Sequence, residues 1–434
     1  MPTVGCTDRR QENVPAAPEG SVPDHAAASA APDHWTQKQF IVTFWLAPPA
    51  TDEALANVAA EGYNLTRVPV EGLDVAARHH LRAMLTSNLL RPGTLDDPAR
   101  RAQLDALIDK VKAHPAMEAY YITDEPGAGA FPGLGKLVAY LRRRDPAHLA
   151  YINLFPTYAN ERQLGVSADA AERAKVGLPQ NFAGVGANDQ TVLRYREHLR
   201  QYLDIVKPDL ISYDHYHFLK DGRDGKQYFL NLALIRDASL ESGKPFLNII
   251  QASALVKVWR LPDPQETRFL VFTTMAYGGR GISYFIYWGS AAQRGIYRDG
   301  KPSPMAKEIA KINSEINALG PELLKLDSTG VYHTPPLPYG TQAPPADSPV
   351  QFVGGGEFVL GLFGKDGKTA AFMVVNRSYQ KEAEATLEVT LAGSRLQELD
   401  HKTGKWVDVF TLGADRRVKL QLAPGDGRLF RTSK

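Results

Sequence analysis

The sequence predicts an α/β fold, a (β/α)8 barrel of the TIM type followed by a small C-terminal antiparallel β-sandwich-like domain, and three observations carry that prediction. From Phe40 to Tyr287, short β-rich apolar runs alternate with longer stretches of helical period, the pattern of parallel βα units. Eight such units fill residues 36–327, close to the roughly 250 residues typical of a barrel. Beyond Thr329 the texture changes to short apolar runs separated by Gly, Asp and Lys turns. A doubly wound open sheet competes with the barrel, but no Gly-rich phosphate fingerprint follows any strand, and Gly127-Ala128-Gly129 lacks the remaining spacing.

The first strand is read at Phe40-Ile41-Val42-Thr43-Phe44-Trp45-Leu46, and a helix begins near Thr51-Asp52-Glu53, where Thr or Asp caps it. Gly62 stops that helix, and Asn64 to Pro69 is the second strand. The third, Leu81 to Leu85, is weaker and precedes an amphipathic helix around Leu104, Leu107, Ile108 and Val111. Strand four is Ala119 to Thr123, followed by a Gly/Pro loop and a helix from Leu134 to Arg144 that ends before Asp145-Pro146. Strand five is Leu149 to Leu154. A long insertion, Phe155 to Asp189, then precedes the helix containing Leu193, Tyr195, Leu199 and Leu203, and long βα loops in barrels shape the substrate site. Strands six, seven and eight are Asp209 to Tyr213, Pro245 to Ile250 and Gly281 to Tyr287, and a helix from about Met305 to Leu319 closes the set. In residues 328–434, strands are expected at Phe358 to Phe363, Ala371 to Val375, Ala385 to Val389 and Val418 to Leu422, with strand-like residues at Val331-Tyr332.

Composition narrows the class of partner. The chain has 434 residues, 44% of them hydrophobic, enough to bury a large core. A net charge of +2, from 50 Lys and Arg against 48 Asp and Glu, supplies no field for nucleic acid or an anionic membrane. No apolar run approaches the roughly 20 residues that span a bilayer. The single cysteine, Cys6, excludes an internal disulfide framework and has no His or Cys at zinc-ligand spacing. Thr3-Val4-Gly5-Cys6 resembles the end of a bacterial lipoprotein signal, without the apolar region that precedes one. Arg9 to about Pro32 is rich in Ala, Pro, Ser, Asp and Glu, so residues 1–35 are expected to form a flexible tether, with a lipid anchor through Cys6 and a periplasmic or extracellular envelope location as one reading and a disordered N-terminus as the other.

In a barrel the reactive groups stand at the C-terminal ends of the strands. There this sequence places Arg67 after strand two, Asp124 and Glu125 after strand four, and Asn153 on strand five. Asp214, His215, Tyr216 and His217 follow strand six, Gln251 strand seven and Trp288 strand eight. The constellation resembles clan GH-A glycoside hydrolases, whose pattern is an Arg after strand two, Asn-Glu-Pro after strand four, a His/Tyr segment after strand six, a Glu after strand seven and a Trp after strand eight. The resemblance covers the barrel and extends to Pro424-Gly425-Asp426-Gly427, which looks like the closing turn of the C-terminal domain. It implies hydrolysis of O-glycosidic bonds in an oligo- or polysaccharide, without a cofactor or a metal. Such hydrolysis needs a proton for the leaving oxygen and a second carboxylate that attacks the sugar carbon or activates water. Glu125 fits the first role, and by resemblance Asp124 takes the place of the family's Asn, beside a sugar hydroxyl.

The second carboxylate is the departure from the pattern, because Gln251 stands where the family has its nucleophile and an amide can neither attack nor act as base. Three explanations stand at this point: an inactivating Glu-to-Gln change, a takeover by Asp214, or a site that binds sugar without hydrolysing it. The other groups carry two readings each. Arg67 supports the second carboxylate or makes a structural ion pair. Asn153, His215 and Tyr216 contact sugar, or His215 is a satisfied rim histidine. Trp288, Trp259, Tyr287 and Tyr158 offer flat faces to a pyranose or belong to the core, and Trp288 is the expected platform. Asp214, His215 and His217 share one loop, but alternation along an extended chain points neighbouring side chains apart, against a metal site. A lyase or aldolase would need a Schiff-base Lys or a metal cluster at the strand ends, and neither is found.

Overall fold

Eight parallel strands form one sheet in the order β1-β8-β7-β6-β5-β4-β3-β2. They are β1 (Ile41–Phe44), β2 (Leu65–Val68), β3 (Arg82–Leu85), β4 (Met117–Asp124), β5 (Leu149–Leu154), β6 (Ile211–His215), β7 (Phe246–Gln251) and β8 (Gly281–Phe285). The computed structural model describes residues 33–174, 182–186, 188–254, 258–290 and 293–434. Cys6, its flanking motif and the tether to Pro32 lie outside the described residues, as does part of the insertion after β5.

The edges β1 and β2 meet at a seam that one side chain closes. The Asn64 backbone N–H donates to Val42 O, and its side-chain Oδ1 accepts from the Val42 N–H at 2.9 Å while its Nδ2 donates to Phe40 O at 2.8 Å. Thr43 Oγ1 adds a bond to Leu65 O. Asn64 thus stands in for a ladder residue where regular pairing fails, and the sheet becomes a barrel. Asn64→Ala leaves two backbone groups without partners, so a loss of about 2 kcal/mol is expected in denaturant unfolding. An unchanged midpoint would show that the seam is held elsewhere.

Local sequence sets the surrounding helices α1 (Asp52–Ala60), α2 (Leu73–Arg78), α3 (Pro98–Val111), α4 (Phe131–Arg144), α5 (Glu161–Leu164), α6 (Ala168–Arg173), α7 (Gln190–Gln201), α8 (Tyr228–Ser242), α9 (Pro264–Ala276) and α10 (Pro304–Leu323). Thr51 caps α1 as expected, Asp97 caps α3 ahead of Pro98, and Asp263 with Glu266 makes a capping box for α9. Inside the barrel, Ile41, Leu65, Met84, Leu149, Leu247 and Ile249 pack together. The floor is closed by Trp35, 5% exposed, whose Nε1 donates to Glu118, which also accepts from Arg82. Trp35 was expected in the tether; its indole is large enough to plug the floor, so the packed chain begins before residue 36.

After β8 comes a small ribbon of β9 (Trp288–Gly289), β10 (Tyr297–Arg298) and β11 (Lys301–Pro302). The C-terminal strands are β12 (Asp327–His333), β13 (Val350–Gly354), β14 (Phe358–Lys365), β15 (Lys368–Asn376), β16 (Ala383–Val389), β17 (Arg395–Leu399), β18 (Trp406–Thr411), β19 (Arg417–Leu422) and β20 (Gly427–Ser433). They make one sheet of order β12-β14-β15-β20-β17-β18 and another of order β13-β16-β19, antiparallel throughout. Val350, Phe358, Phe372, Leu387, Leu420 and Phe430 fill the space between them. This layer sits directly on α9: a Cβ at Gly361 would come within 2.3 Å of Ala276 O, so no larger residue fits there. Arg268 of α9 binds Glu315 of α10 with both guanidinium nitrogens at 2.8 Å and also pairs with Asp426. Tyr379 OH donates to Asp224 at 2.8 Å, and Tyr339 OH donates to Asp189, so C-terminal loops brace the βα loops after β6 and β5.

Candidate active site

The site begins with an irregularity in β4. Pairing with β5 runs Tyr121 to Tyr151 and then Thr123 to Ile152, so one extra residue is accommodated and Asp124 is brought opposite Asn153. Asn153 is buried, and its Nδ2 donates to Asp124 Oδ1 at 3.0 Å and to Asp214 Oδ1 at 2.9 Å. Its Oδ1 accepts from Ser212, whose hydroxyl also bonds Tyr151 OH at 2.8 Å. The amide therefore has a fixed orientation and ties the ends of three adjacent strands together.

Glu125 follows at once, with φ of 45°, a left-handed conformation uncommon outside glycine, held by its N–H bond to Asn153 O at 2.8 Å. The turn brings its carboxyl beside Asp214, and each group shifts the other's proton affinity. Asp214 is 3% exposed, and burial together with the charge of Glu125 drives its carboxyl far above the usual range. Glu125 is half-buried; desolvation first, then the charge of Asp124, pushes it up to about 7. Asp124 is also raised by desolvation, opposed by Asn153 and Arg67, and it stands at the open rim. All three carboxyl groups in the mouth are thus raised above their ordinary range, desolvation being the first cause in each.

Aromatic side chains wall the mouth. The Arg67 guanidinium lies between Trp45 and Tyr121, 4.5 and 4.3 Å from their ring centroids. It makes no salt bridge among the described residues and acts on Asp124 through space. On the other side Tyr216 meets Trp259 at 5.1 Å and Phe285 at 5.0 Å, and the exposed Tyr158 stands 6.3 Å from Trp259 with its hydroxyl accepting from the Tyr216 N–H.

Several expected residues have other employment. β6 runs two residues further than the sequence indicates, so Asp214 and His215 lie within the strand and alternate across it. Asp214 faces the barrel, whereas His215 turns to the helix layer, where Nδ1 bonds Asn231 Oδ1 at 2.9 Å and burial pushes the ring down to about 3. A direct sugar contact by His215 is thereby corrected to a neutral histidine beneath Tyr158, 5.0 Å away. Trp288, the expected platform, lies past the end of β8 at Phe285 and stacks on Tyr297 at 5.6 Å in the ribbon beyond. Tyr287 is buried against Phe44 at 4.4 Å. Sequence reasoning missed Phe285, Trp45, Tyr121 and Ser212; all four lie in the assigned strands, where inward alternation was the available signal.

Gln251 is 1% exposed and fully engaged. Its Oε1 accepts from Phe218 N at 2.8 Å, and its Nε2 donates to Phe218 O at 3.1 Å and to Arg260 O at 2.5 Å. One acceptor and two donors are matched to one N–H and two carbonyls, a set that an amide satisfies and a carboxylate does not. The side chain fastens the loop after β6 to the loop after β7. A hollow of about 770 Å³ bordered by Asp33, Arg142, Lys207, Asp209 and Lys244 lies at the opposite end of the strands, away from these groups.

No protein-family model matches the chain, and no curated protein matches its sequence. Among solved structures it is similar to the family 30 subfamily 8 xylanase of Clostridium acetobutylicum, at 12% identity over 92% of this chain and 97% of that one, with a TM-score of 0.42. The β-galactosidase of Bacillus circulans sp. alkalophilus gives 12% identity, 67% and 58% coverage and a TM-score of 0.40. The endoglucanase of Pseudomonas stutzeri, solved with cellobiose, gives 14%, 68%, 88% and 0.38.

Proposed function

We propose that the protein is a glycoside hydrolase acting on an oligo- or polysaccharide, with Glu125 as general acid and then general base. The observation that carries this reading is the placement of Glu125 at a barrel mouth, in the left-handed turn directly after β4 and beside the buried Asp214. A carboxyl group pushed up to about 7 is protonated below that pH, as an acid must be, and its conjugate base is strong enough to activate water afterwards. Asp124, Asn153 and Tyr216 line the sugar site in this reading, and Tyr158, Trp259 and Phe285 supply apolar faces for pyranose rings. Arg67 offsets the carboxylate charge at the rim.

Asp214 serves Glu125 and does not attack sugar. Carboxyl groups that flank a scissile bond stand about 5–5.5 Å apart for retention and about 6.5–9.5 Å for inversion. Asp214 is 3% exposed and already bonded to Asn153, so it presents no open face to a sugar carbon. Asp214→Ala removes a neighbour that lowers the Glu125 carboxyl, so the alkaline limb of activity moves to higher pH.

The test is turnover of aryl glycosides and polysaccharides by the purified protein. For substrates with poor leaving groups, kcat/KM is expected to be level below pH 7 and to fall about tenfold per unit above it, because the acid is lost as pH rises through its raised value. A profile flat to pH 9 would sink Glu125 as the acid. Gln251 motivates a second reading, carbohydrate binding without hydrolysis, and saccharide binding with no turnover of any substrate would establish it. No described helix is long and apolar enough to cross a membrane. Attachment through Cys6 is proposed from its motif alone, and fatty-acid labelling that survives Cys6→Ser would refute it.

A further inference from the structure

Among the described residues, neither Gln251 nor Asp214 is free to attack a sugar carbon. Gln251 is consumed by three hydrogen bonds to two loops, and Asp214 is 3% exposed and bonded to Asn153. Among the described residues, the remaining acidic group in the mouth is Asp124, adjacent in sequence to the acid. Its Oδ1 accepts from Asn153, and the side chain is exposed at the rim, which leaves Oδ2 open to a ligand. The Asp124 charge acts on the Glu125 carboxyl in the same mouth, so with Glu125 on the glycosidic oxygen Asp124 is the group placed to meet a substituent on the neighbouring sugar carbon. That substituent is the nearest nucleophile the complex can contain.

Resting on the glycosidase reading above, we propose that the substrate is a 2-acetamido-2-deoxy glycoside and that its own acetamido oxygen displaces the leaving group, with Asp124 holding the amide N–H. In the first step the Glu125 carboxylic acid gives its proton to the glycosidic oxygen, the C1–O bond to the leaving group breaks, and the acetamido carbonyl oxygen forms a new bond to C1. The positive charge that develops on the amide nitrogen is met by the Asp124 carboxylate, which accepts the N–H hydrogen bond or its proton. In the second step a water loses a proton to the Glu125 carboxylate and attacks C1, the bond from C1 to the acetamido oxygen breaks, and Asp124 returns the proton to nitrogen. The products are the free sugar and the alcohol, with configuration at C1 retained after two displacements. Attack from within the sugar requires the acetamido group trans to the leaving group. Asp214 and Asn153 hold Glu125 and Asp124 in register and stay out of both displacements.

The experiment compares 4-nitrophenyl 2-acetamido-2-deoxy-β-D-glucoside and its galacto epimer with the matching 2-hydroxyl glycosides, using the full chain. The acetamido substrates are expected to exceed their 2-hydroxyl counterparts in kcat/KM by about 100-fold or more, the size of effect an intramolecular nucleophile provides. Replacing acetyl by mono-, di- and trifluoroacetyl weakens the attacking oxygen and is expected to lower kcat stepwise. Asp124→Asn is expected to lower kcat on the acetamido substrate by about 100-fold. A cyclic thiazoline analogue of N-acetylglucosamine should bind the wild type in calorimetry and bind Asp124→Ala at least about tenfold more weakly. Faster hydrolysis of 2-hydroxyl glycosides, or insensitivity to fluorination, would overturn this proposal and leave the glycosidase reading intact. Failure to hydrolyse any member of the wider glycoside panel would overturn both.

Discussion

Glu125→Gln is expected to lower kcat by about 10³-fold on substrates with poor leaving groups, within the range set by general acid–base catalysis. The amide keeps the shape but cannot deliver a proton to the glycosidic oxygen. The effect should depend on the leaving group. With a 2,4-dinitrophenyl glycoside, whose phenolate departs unprotonated, most of the loss in the first step should vanish, and added azide should rescue the second step. KM should change little, because the lost interaction belongs to the transition state. A uniform loss across leaving groups would mean that Glu125 binds or positions sugar without acting as acid.

Gln251→Glu is expected to destabilise the fold and restore no activity. The amide donates to Phe218 O and Arg260 O and accepts from Phe218 N. A glutamate would set a buried carboxylate oxygen against two carbonyls, leaving both unsatisfied, or would take up a proton and satisfy one of them. The expected cost is about 3 kcal/mol or more, read as a lower denaturant midpoint. Release of the loops after β6 and β7 should also disturb Tyr216 and Trp259. A stable variant with markedly higher glycosidase activity would instead identify Gln251 as a disabled nucleophile.

Much of the architecture was legible because its signals are local. Periodicity and capping residues such as Thr51 gave the alternating elements of the barrel, whose eight strands all lie within a few residues of their expected positions. The C-terminal strands were less visible. β18 has no fully buried residue and β17 alternates imperfectly, so neither offers the two-residue period that marks β19. At the mouth, strand ends decided what could be read. Glu125 was found because Asp124-Glu125-Pro126 directly follows an apolar run. Its partnership with Asp214 depends on a bulge in β4 and on β6 running to His215, and neither shift has a local signature. The settings of His215 and Trp288 were hidden for the same reason, since β6 runs two residues further and takes His215 into the strand, while β8 ends three residues before Trp288. The role of Gln251 is set by carbonyls of residues 218 and 260, which only the folded chain assembles.

The bracing of the barrel by its C-terminal loops determines what can be transplanted. Tyr379 reaches Asp224 beside His217, Tyr339 reaches Asp189 at the start of α7, and Arg268 links α9 to Asp426. A barrel cut after residue 327 would keep every strand of the mouth but lose the outside supports of the loops that carry Trp259, Tyr216 and the insertion. For grafting, fusion or directed evolution, the indivisible cassette is therefore the whole span from Trp35 to the last strand.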